Sequence, residues 1–187
     1  MTDLTLVIPA AAHLHSYVEA LERGWSPDNV GGRAAADAHL LAIGRDPEGF
    51  LALRDDPDGR GPPIVQPDGT TVARLPSIDR WIWDGDFCGR ISLRWRPGGS
   101  TLPAHVLGHI GFTVVPWKQG RGYATFALGQ ILEAARDRGL TYVELTALAH
   151  NVASQRVVTA NGGRLVERFS NPEVHDGDEI LRFRIDL

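Results

Sequence analysis

A short glycine-rich stretch has the residue types needed to bind an anion. Gln119, Gly120, Arg121 and Gly122 lie between a predicted strand that Pro116 ends and a segment with helical periodicity. The first amides of a helix have no partner within the helix, the helix dipole adds about half a positive charge, and glycines let a phosphate approach the backbone. Arg121 can add a charged donor. The stretch predicts a phosphate site, although the same glycines would also suit a simple tight turn.

Two common phosphate-binding patterns fit this stretch poorly. A nucleoside triphosphate loop places a lysine directly after its last glycine, and no lysine follows Gly120 or Gly122. A dinucleotide loop has glycine or alanine three residues after its second glycine, where this chain has Thr125. Glu144 lies about 20 residues beyond Gly122, near the expected place of a ribose-binding acid, but within a predicted strand. A nucleotide-dependent oxidoreductase therefore remains an alternative.

Composition limits the class of protein. The chain has 187 residues, of which 43% are hydrophobic and 22% charged, and this predicts one domain with one core. Its formal net charge of −4 argues against a protein that mainly binds nucleic acid or an anionic membrane. The start of the chain has no basic leader before an apolar run, and no apolar stretch is long enough to span a membrane. We therefore expect a cytoplasmic protein.

Cysteine and histidine usage suggests no metal site. The single cysteine, Cys88, excludes an intramolecular disulfide and a multi-cysteine metal site. We interpret it as a small apolar strand residue and not as a nucleophile. No paired metal-ligand spacing with carboxylates or Cys88 is found for the histidines His13, His15, His39, His105, His150 and His175. We therefore predict that no metal is bound.

Hydrophobic periodicity in the first half predicts a strand, helices and a hairpin. A strand over residues 4–10 precedes a helix that stops at Gly24, and one or two helical pieces follow in residues 33–56. Residues 55–79 are rich in proline and glycine and predict an exposed connection. Two β-rich runs around Gly85 predict a hairpin, and residues 105–115 predict a further strand that Pro116 closes.

The second half predicts a helix behind a sheet. A helix from about Gly120 to Arg138 carries an apolar stripe that would lie on a sheet. The stripe consists of Ala124, Ala127, Leu128, Ile131, Leu132 and Ala135. A strand over 141–148, a capped helix over 151–163 and a final strand pair follow. The predicted fold class is α/β (α+β), with a mixed, mostly antiparallel sheet of about six or seven strands flanked by about four helices.

Three motifs together resemble a known family. Gln119 to Ala124 meet the pattern [QR]-x-x-G-x-[GA] of the acyl-coenzyme A loop of the GCN5-related N-acetyltransferases (GNAT). Val114 and Pro116 are similar to the V-x-P strand end of that family, and Asn151, Ser154 and Gly162 keep the spacing of its later helix. The resemblance covers about residues 80–170 and is closest to a bacterial branch of predicted acetyltransferases. It implies one domain over 1–187, with an N-terminal part at 1–79, an acyl-coenzyme A core at 80–170 and a terminal strand at 171–187.

The resemblance implies acetyl-CoA as cosubstrate and assigns residues to it. Backbone groups of Thr113, Val114 and Val115 would bind the pantetheine arm and polarise the thioester carbonyl. Asn151 would contact the cofactor, although its spacing also suits a plain helix cap. The pyrophosphate would be held by Gln119, Gly120, Arg121, Gly122, Tyr123, Ala124 and Thr125.

The chain departs from the family pattern at two places. Val158 occupies the position of a tyrosine that protonates the departing thiolate in many relatives, and Gly163 stands where a phenylalanine often follows Gly162. Ser154 is the candidate substitute acid, and Tyr142 is a weaker one. Gly163 leaves either more room or more flexibility near the acyl site.

His109 is the candidate general base, because an imidazole with a pKa near 6.5 can accept the proton of an ammonium group. Its face depends on strand parity, so a histidine hydrogen-bonded on the other side of the sheet is an open alternative. Glu144 is a second candidate with the same ambiguity. Trp25 lies on a loop where an acceptor pocket is expected, or packs on the core as a lid.

The sequence therefore predicts transfer of an acetyl group from acetyl-CoA to a primary amine of a small molecule or peptide. The amine would attack directly in a ternary complex. A degenerate fold that binds coenzyme A as a sensor or scaffold is the first alternative, and the oxidoreductase is the second. We expect no nucleic-acid or membrane partner, and formation of a homodimer is left open.

Overall fold

A computed structural model describes residues 3–28, 31–65, 69–171 and 177–187. His175 and part of the predicted connection, residues 66–68, lie outside the described residues. The helices are α1 Ala11–Glu22, α2 Gly32–Arg45, α3 Pro47–Ala52, α4 Tyr123–Asp137 and α5 Val152–Ala160, with a single 3-10 turn at Pro116–Lys118. The strands are β1 Thr5–Val7, β2 Asp55–Asp56, β3 Ile64–Val65, β4 Thr71–Val72, β5 Ser77–Trp83, β6 Phe87–Arg94, β7 Ile110–Val114, β8 Tyr142–Leu148, β9 Arg164–Ser170 and β10 Glu179–Asp186.

The strands form two main sheets. One has the order β1-β5-β6-β7, with β2 paired to β5, and the other has the order β8-β10-β9. Strands β3 and β4 form a small separate hairpin. Every strand pairing between described residues is antiparallel. The predicted α/β class with mostly antiparallel strands and flanking helices is confirmed, but the sheet is divided between β7 and β8.

Helix α4 packs its predicted stripe into the core. Five of the six stripe residues are buried, and Ala124 is half-buried. The helix begins at Tyr123 and not at Gly120, because Gly120 and Gly122 have φ values of +74° and +79°, which a right-handed helix cannot contain. The two glycines therefore form a turn that ends where the helix starts.

Two other boundaries differ from the prediction. Strand β7 begins at Ile110 and not at His105, because the backbone before it turns at Val106 and His109 bonds across to β8. The predicted connection over 55–79 is not wholly exposed. Asp56 is buried within it, and its carboxylate accepts hydrogen bonds from the backbone N–H groups of Arg60 and Gly61. These bonds hold the chain in a tight turn between β2 and β3.

An aromatic cluster joins the N-terminal helices to β5 and β6. Tyr17 on α1 stacks on Trp81 of β5, with ring centroids 4.4 Å apart. Trp25 packs edge-on against Tyr17 and Phe87 and is only 3% exposed. The Trp25 ring is therefore a core side chain, and its indole N–H donates to the Thr113 hydroxyl at 3.2 Å.

Acid is expected to destabilise the protein through His39 on α2. Its Nδ1 lies 2.6 Å from the Tyr17 hydroxyl, and burial lowers the pKa of the imidazole to about 4. The unfolded chain binds a proton near pH 6.5 and the folded chain does not, so the free energy of unfolding falls between pH 6.5 and pH 4, by up to about 3 kcal/mol. Urea unfolding at pH 7 and pH 4.5 should show this loss, and His39→Gln should reduce it.

The control for that titration is Gln130→Ala, an exposed change on α4 that removes no titratable group. It should leave the dependence on pH unchanged. Equal acid sensitivity of the wild type and His39→Gln would contradict the assignment.

Candidate active site

The glycine turn presents a row of free backbone donors. The N–H groups of residues Gly120 to Thr125 make no hydrogen bond to any described residue. Gly120, Arg121 and Gly122 are exposed to solvent, and the Arg121 guanidinium donates to the Trp117 carbonyl at 3.4 Å. Free amides at the start of a fifteen-residue helix are well placed to bind an anionic group.

A carboxylate that the sequence did not reveal holds both sides of this turn. Asp84, between β5 and β6, accepts hydrogen bonds from the Lys118 ammonium and the Tyr123 hydroxyl, each at 2.8 Å. Burial alone would raise the pKa of Asp84, but these two bonds outweigh burial and lower that pKa to about 2. Because Lys118 precedes the turn and Tyr123 begins α4, one charged group fixes the conformation of the turn. Nothing in local spacing indicates a contact across more than 30 residues of chain.

Strands β7 and β8 touch at one end and separate at the other. The His109 N–H donates to the Glu144 carbonyl at 2.7 Å, and a Cβ on Gly108 would lie 2.9 Å from that same oxygen. Beyond this contact, within the part of the chain that the structure describes, β7 pairs only with β6 and β8 pairs only with β10. We call the resulting opening between β7 and β8 the wedge.

The edge of β7 that faces the wedge has free main-chain groups. The His109 carbonyl and the Val115 N–H both bond to β6, and main-chain groups alternate in direction along a strand. Phe112 and Val114 therefore direct their N–H groups toward the wedge, while Thr113 and Val115 direct theirs toward β6. On the same edge, the Val114 carbonyl accepts from the Gln119 side-chain amide at 3.2 Å, whereas no hydrogen bond from the Val114 N–H is formed with the described residues. Of the three predicted arm-binding residues, only Val114 has this orientation.

A cleft of about 630 Å³ adjoins the wedge. Its walls come from the loop before α2, the end of α3, strands β3 to β7, the end of β8 and the start of α5. Thr113, Asn151 and Ser154 line it together with Asp28 and His105. The cleft therefore brings the end of β7 and the start of α5 into one cavity with the N-terminal elements.

Comparison with known proteins identifies the family. The model of the acetyltransferase (GNAT) domain matches residues 69–164, which is just over half of the chain. This chain belongs to the GNAT acetyltransferase family. No curated protein matches its sequence. GNAT membership makes the chain an acyl-CoA-dependent acetyltransferase with acetyl-CoA as cosubstrate, and the resemblance seen in the sequence is confirmed.

Solved structures of GNAT proteins share the fold over the whole chain. The microcin C7 self-immunity acetyltransferase, in complex with acetyl-CoA and AMP, has a TM-score of 0.60 at 11% identity, covering 100% of this chain and 94% of that one. The ribosomal-protein alpha-N-acetyltransferase RimL, in complex with coenzyme A, has 0.61 at 13% identity, covering 100% and 96%. A Bordetella pertussis protein assigned to the GNAT family has 0.56 at 20% identity, covering 98% and 96%.

The geometry of His109 does not suit a general base. The side chain is fully buried, its Nδ1 accepts from the Glu144 N–H at 2.9 Å, and its Nε2 donates to the Ser100 carbonyl at 2.9 Å. These partners fix one neutral tautomer, and burial lowers the pKa of the ring. No ring nitrogen is left to take a proton from an amine, so the placement corresponds to the structural alternative.

Glu144, the second candidate for the general base, is held in ion pairs. Glu144 forms ion pairs with Arg184 at 2.7 Å and Arg182 at 3.3 Å. Burial would raise its pKa, but the bonds from these arginines lower it. Tyr142, the weaker acid candidate, packs under the Arg184 guanidinium at 4.0 Å and edge-on to His109. Because two arginines hold its carboxylate, Glu144 is also unsuited to bind the ribose of a dinucleotide. GNAT membership excludes the oxidoreductase alternative.

Helix α5 keeps one candidate acid at the cleft. The Asn151 side chain accepts from the Ser154 N–H at 3.1 Å and so caps the helix. The Ser154 hydroxyl makes no hydrogen bond within the described chain and lines the cleft. Ser154 therefore has a hydroxyl free for a ligand, as the prediction requires.

The two departures from the GNAT pattern are coupled. Val158, in place of the tyrosine, is 1% exposed and points into the core. A Cβ on Gly163 would lie 2.3 Å from a Val158 methyl carbon and 2.8 Å from its carbonyl oxygen. Gly163 thus leaves no added room, because Val158 fills the space that a side chain at 163 would need.

Other groups at the site have structural roles. Cys88 is fully buried, and burial raises the pKa of its thiol to about 12, so it is unsuited to act as a nucleophile.

No cluster of three metal-ligating side chains occurs among the residues that the structure describes. None of the described helices is both long enough and apolar enough to cross a membrane.

Proposed function

We propose that the chain transfers an acetyl group from acetyl-CoA to a primary amine of a small molecule or peptide. The amine attacks the thioester directly while both substrates are bound. The observation that carries this proposal is the row of amides from Gly120 to Thr125, which no described group of the protein caps. Acetyl-CoA would supply the acetyl group already activated as a thioester.

The turn and the start of α4 would hold the diphosphate. Its oxygens would accept hydrogen bonds from the free amides, and the positive end of the helix dipole favours their charge. Arg121 and Gln119 flank the same point. Asp84 supports the arrangement by fixing Lys118 and Tyr123. Asn151 lies at the neighbouring start of α5, where its side chain lines the cleft.

The edge of β7 would orient the reacting carbonyl. Free N–H groups of Phe112 and Val114 face the wedge, and fixed amide donors stabilise the negative charge that develops on a carbonyl oxygen under attack. Such donors do not need to reorganise during the reaction. We therefore assign the polarising role to Val114 and Phe112, and a side-chain role to Thr113, whose hydroxyl receives the Trp25 indole N–H.

Ser154 would donate a hydrogen bond to the departing thiolate. A thiol with a pKa of about 8.5 leaves as the thiolate near pH 7 at a cost of roughly 2 kcal/mol, so a hydroxyl donor is sufficient and a tyrosine is not required. The proton of the amine would pass to water in the cleft, because His109 and Glu144 are engaged by the protein.

Replacing Ser154 should test this role. Ser154→Ala is expected to lower kcat by about tenfold, since one hydrogen bond to a charged group contributes about 1.5 kcal/mol. The Michaelis constant for acetyl-CoA should change little, because the backbone N–H of residue 154 still donates to the Asn151 side chain, which caps α5. Ser154→Thr should restore part of kcat, and Ser170→Ala, an exposed change on β9, serves as control. Unchanged kcat in Ser154→Ala would remove Ser154 from the mechanism.

The function itself is tested by release of free thiol over a panel of small amines and peptides. Turnover on an amine, with acetyl-CoA raising Tm, is expected; ligand at 100 times its Kd adds about 2.7 kcal/mol of stability. Thermal stabilisation by acetyl-CoA without turnover on any amine would instead support a coenzyme A sensor or scaffold.

A further inference from the structure

The cleft is positive although the protein is acidic. Its lining includes the four arginines Arg54, Arg74, Arg90 and Arg94, and the two aspartates Asp28 and Asp79. The chain as a whole has a net charge of −4. The lining of the cavity where an acceptor would bind therefore carries a net positive charge, opposite in sign to the net charge of the whole chain.

Two of the four guanidinium groups have partners in the protein. Arg90 donates from Nη2 and Nε to the Asp79 carboxylate, at 2.8 and 3.1 Å, and from Nη1 to the Pro27 carbonyl at 3.0 Å. Asp79 is 4% exposed and the Arg90 side chain is half-buried, and the charges of this pair cancel. Arg74 donates to the Pro62 carbonyl at 3.3 Å.

The other two guanidinium groups have no acceptor within the described chain. Arg54, two residues after the end of α3, is half-buried and lies over the Phe50 ring at 4.7 Å, and its Nε is buried with no hydrogen-bond partner among the described residues. Burial lowers the pKa of Arg54; the charge of Asp79 opposes this, and the charge of Arg90 acts in the same direction as burial. Arg94, at the end of β6, is exposed and forms no described ion pair.

An anion would satisfy both groups. A half-buried guanidinium without an acceptor is unfavourable, and a carboxylate or phosphate can accept two parallel hydrogen bonds from one arginine. A neutral ligand would leave the half-buried Arg54 guanidinium without an acceptor, and sites of this kind discriminate strongly against ligands that lack the matching group. The acceptor half of the cleft is thus suited to an amine that carries an oxyanion.

We propose that the acceptor is a small amine bearing a carboxylate or a phosphate, which Arg54 and Arg94 bind in the cleft. This proposal rests on the acetyl transfer proposed above and specifies its second substrate. Arg54 and Arg94 are specificity residues, because they contact the acceptor away from the atoms that react.

Matched pairs of acceptors test the preference. The pairs are β-alanine with propanolamine and γ-aminobutyrate with its amino alcohol for the carboxylate, and phosphoethanolamine with ethanolamine for the phosphate. We expect kcat/KM to be at least about tenfold higher for the anionic member of one pair. A preference in a carboxylate pair would identify a carboxylate acceptor, and a preference in the phosphate pair would identify a phosphate acceptor. Equal kcat/KM within every pair would overturn the proposal while leaving acetyl transfer intact.

Variants connect the preference to the two arginines. In Arg54→Met and in Arg94→Gln, kcat/KM for the anionic member of the preferred pair should fall to within a few-fold of kcat/KM for the neutral member. The fall should come from a higher KM for the anionic acceptor. KM for acetyl-CoA should not change. Arg54→Met should keep or raise Tm, since it removes an unpaired charge and retains much of the side-chain volume. The matched control is Arg96→Gln, two residues beyond Arg94 and exposed, which should keep the preference.

Binding separates failure of this proposal from failure of the proposed function. Calorimetric titration of the same acceptors into the protein saturated with coenzyme A does not require turnover. Tighter binding of anionic members, abolished in Arg54→Met, would support the site even if no acetyl group is transferred. No preference in binding or in turnover would overturn it.

Discussion

The Gly122→Asp variant is expected to bind acetyl-CoA at least about 100-fold more weakly than the wild type and to remain folded. Gly122 has a φ of +79°, and a Cβ there would meet no atom within 4 Å, so the new side chain has space. Its carboxylate would stand among the free amides from Gly120 to Thr125, where it repels a diphosphate and can itself accept their hydrogen bonds. Calorimetric titration with acetyl-CoA measures the loss.

Two control variants separate charge from backbone strain. Gly122→Asn has nearly the same size as the aspartate and tolerates a positive φ, so it should weaken binding by less than about tenfold. Gly139→Asp, beyond the far end of α4, has a φ of +74° and equally open space, and it should bind acetyl-CoA like the wild type. Equal losses for Gly122→Asp and Gly122→Asn would assign the effect to side-chain bulk or backbone strain and not to charge. Binding of acetyl-CoA by Gly122→Asp like the wild type would show that the diphosphate binds elsewhere.

The parts of the site that the sequence predicted depend on local rules. The turn at Gly120 and Gly122, the stripe of α4 and the cap at Asn151 each follow from residues a few positions apart. Local spacing determines which backbone N–H groups lack a partner, and these groups form the proposed diphosphate site. For that reason the stretch could be interpreted without a structure.

The orientation of the strand before the turn did not follow from the sequence. The parity of β7 depends on where the strand starts, and a contact with Glu144, 35 residues away, moves that start to Ile110. A shift of one residue exchanges the two faces of a strand. The sequence therefore assigned main-chain roles to Thr113, Val114 and Val115, whereas the geometry favours Phe112 and Val114.

The sequence also did not indicate which arginines form ion pairs with carboxylates. Arg90 and Asp79 lie on adjacent strands and Arg54 follows a short helix, so only the fold shows which arginine has a carboxylate and which does not. The coupling of Val158 with Gly163 is similar, because each looks like a separate departure until a methyl group is seen to fill the space at 163. Long-range contacts decide these features, and a single sequence does not encode them in any readable pattern.

The His109→Ala variant is expected to lose about 3 to 4 kcal/mol of unfolding free energy. The substitution leaves a cavity and unpairs the Ser100 carbonyl and the Glu144 N–H in a fully buried place. For a domain of this size the loss corresponds to a fall in Tm of roughly 6 to 15 °C. Because His109 joins β7 to β8 where the wedge closes, we expect it to maintain the wedge and not to move a proton. Urea unfolding and thermal unfolding measure the effect.

His109→Asn distinguishes this structural role from a base. Its side-chain oxygen can take the place of Nδ1 and accept from the Glu144 N–H, so about half of the lost stability should return. An asparagine cannot act as a base, so a catalytic histidine would make the Asn and Ala variants equally inactive. Assayed well below Tm, His109→Asn should keep kcat within about threefold of the wild type. If His109→Ala had wild-type stability and a hundredfold lower kcat, His109 would be a catalytic base, because only a lost proton transfer would then explain the lower kcat.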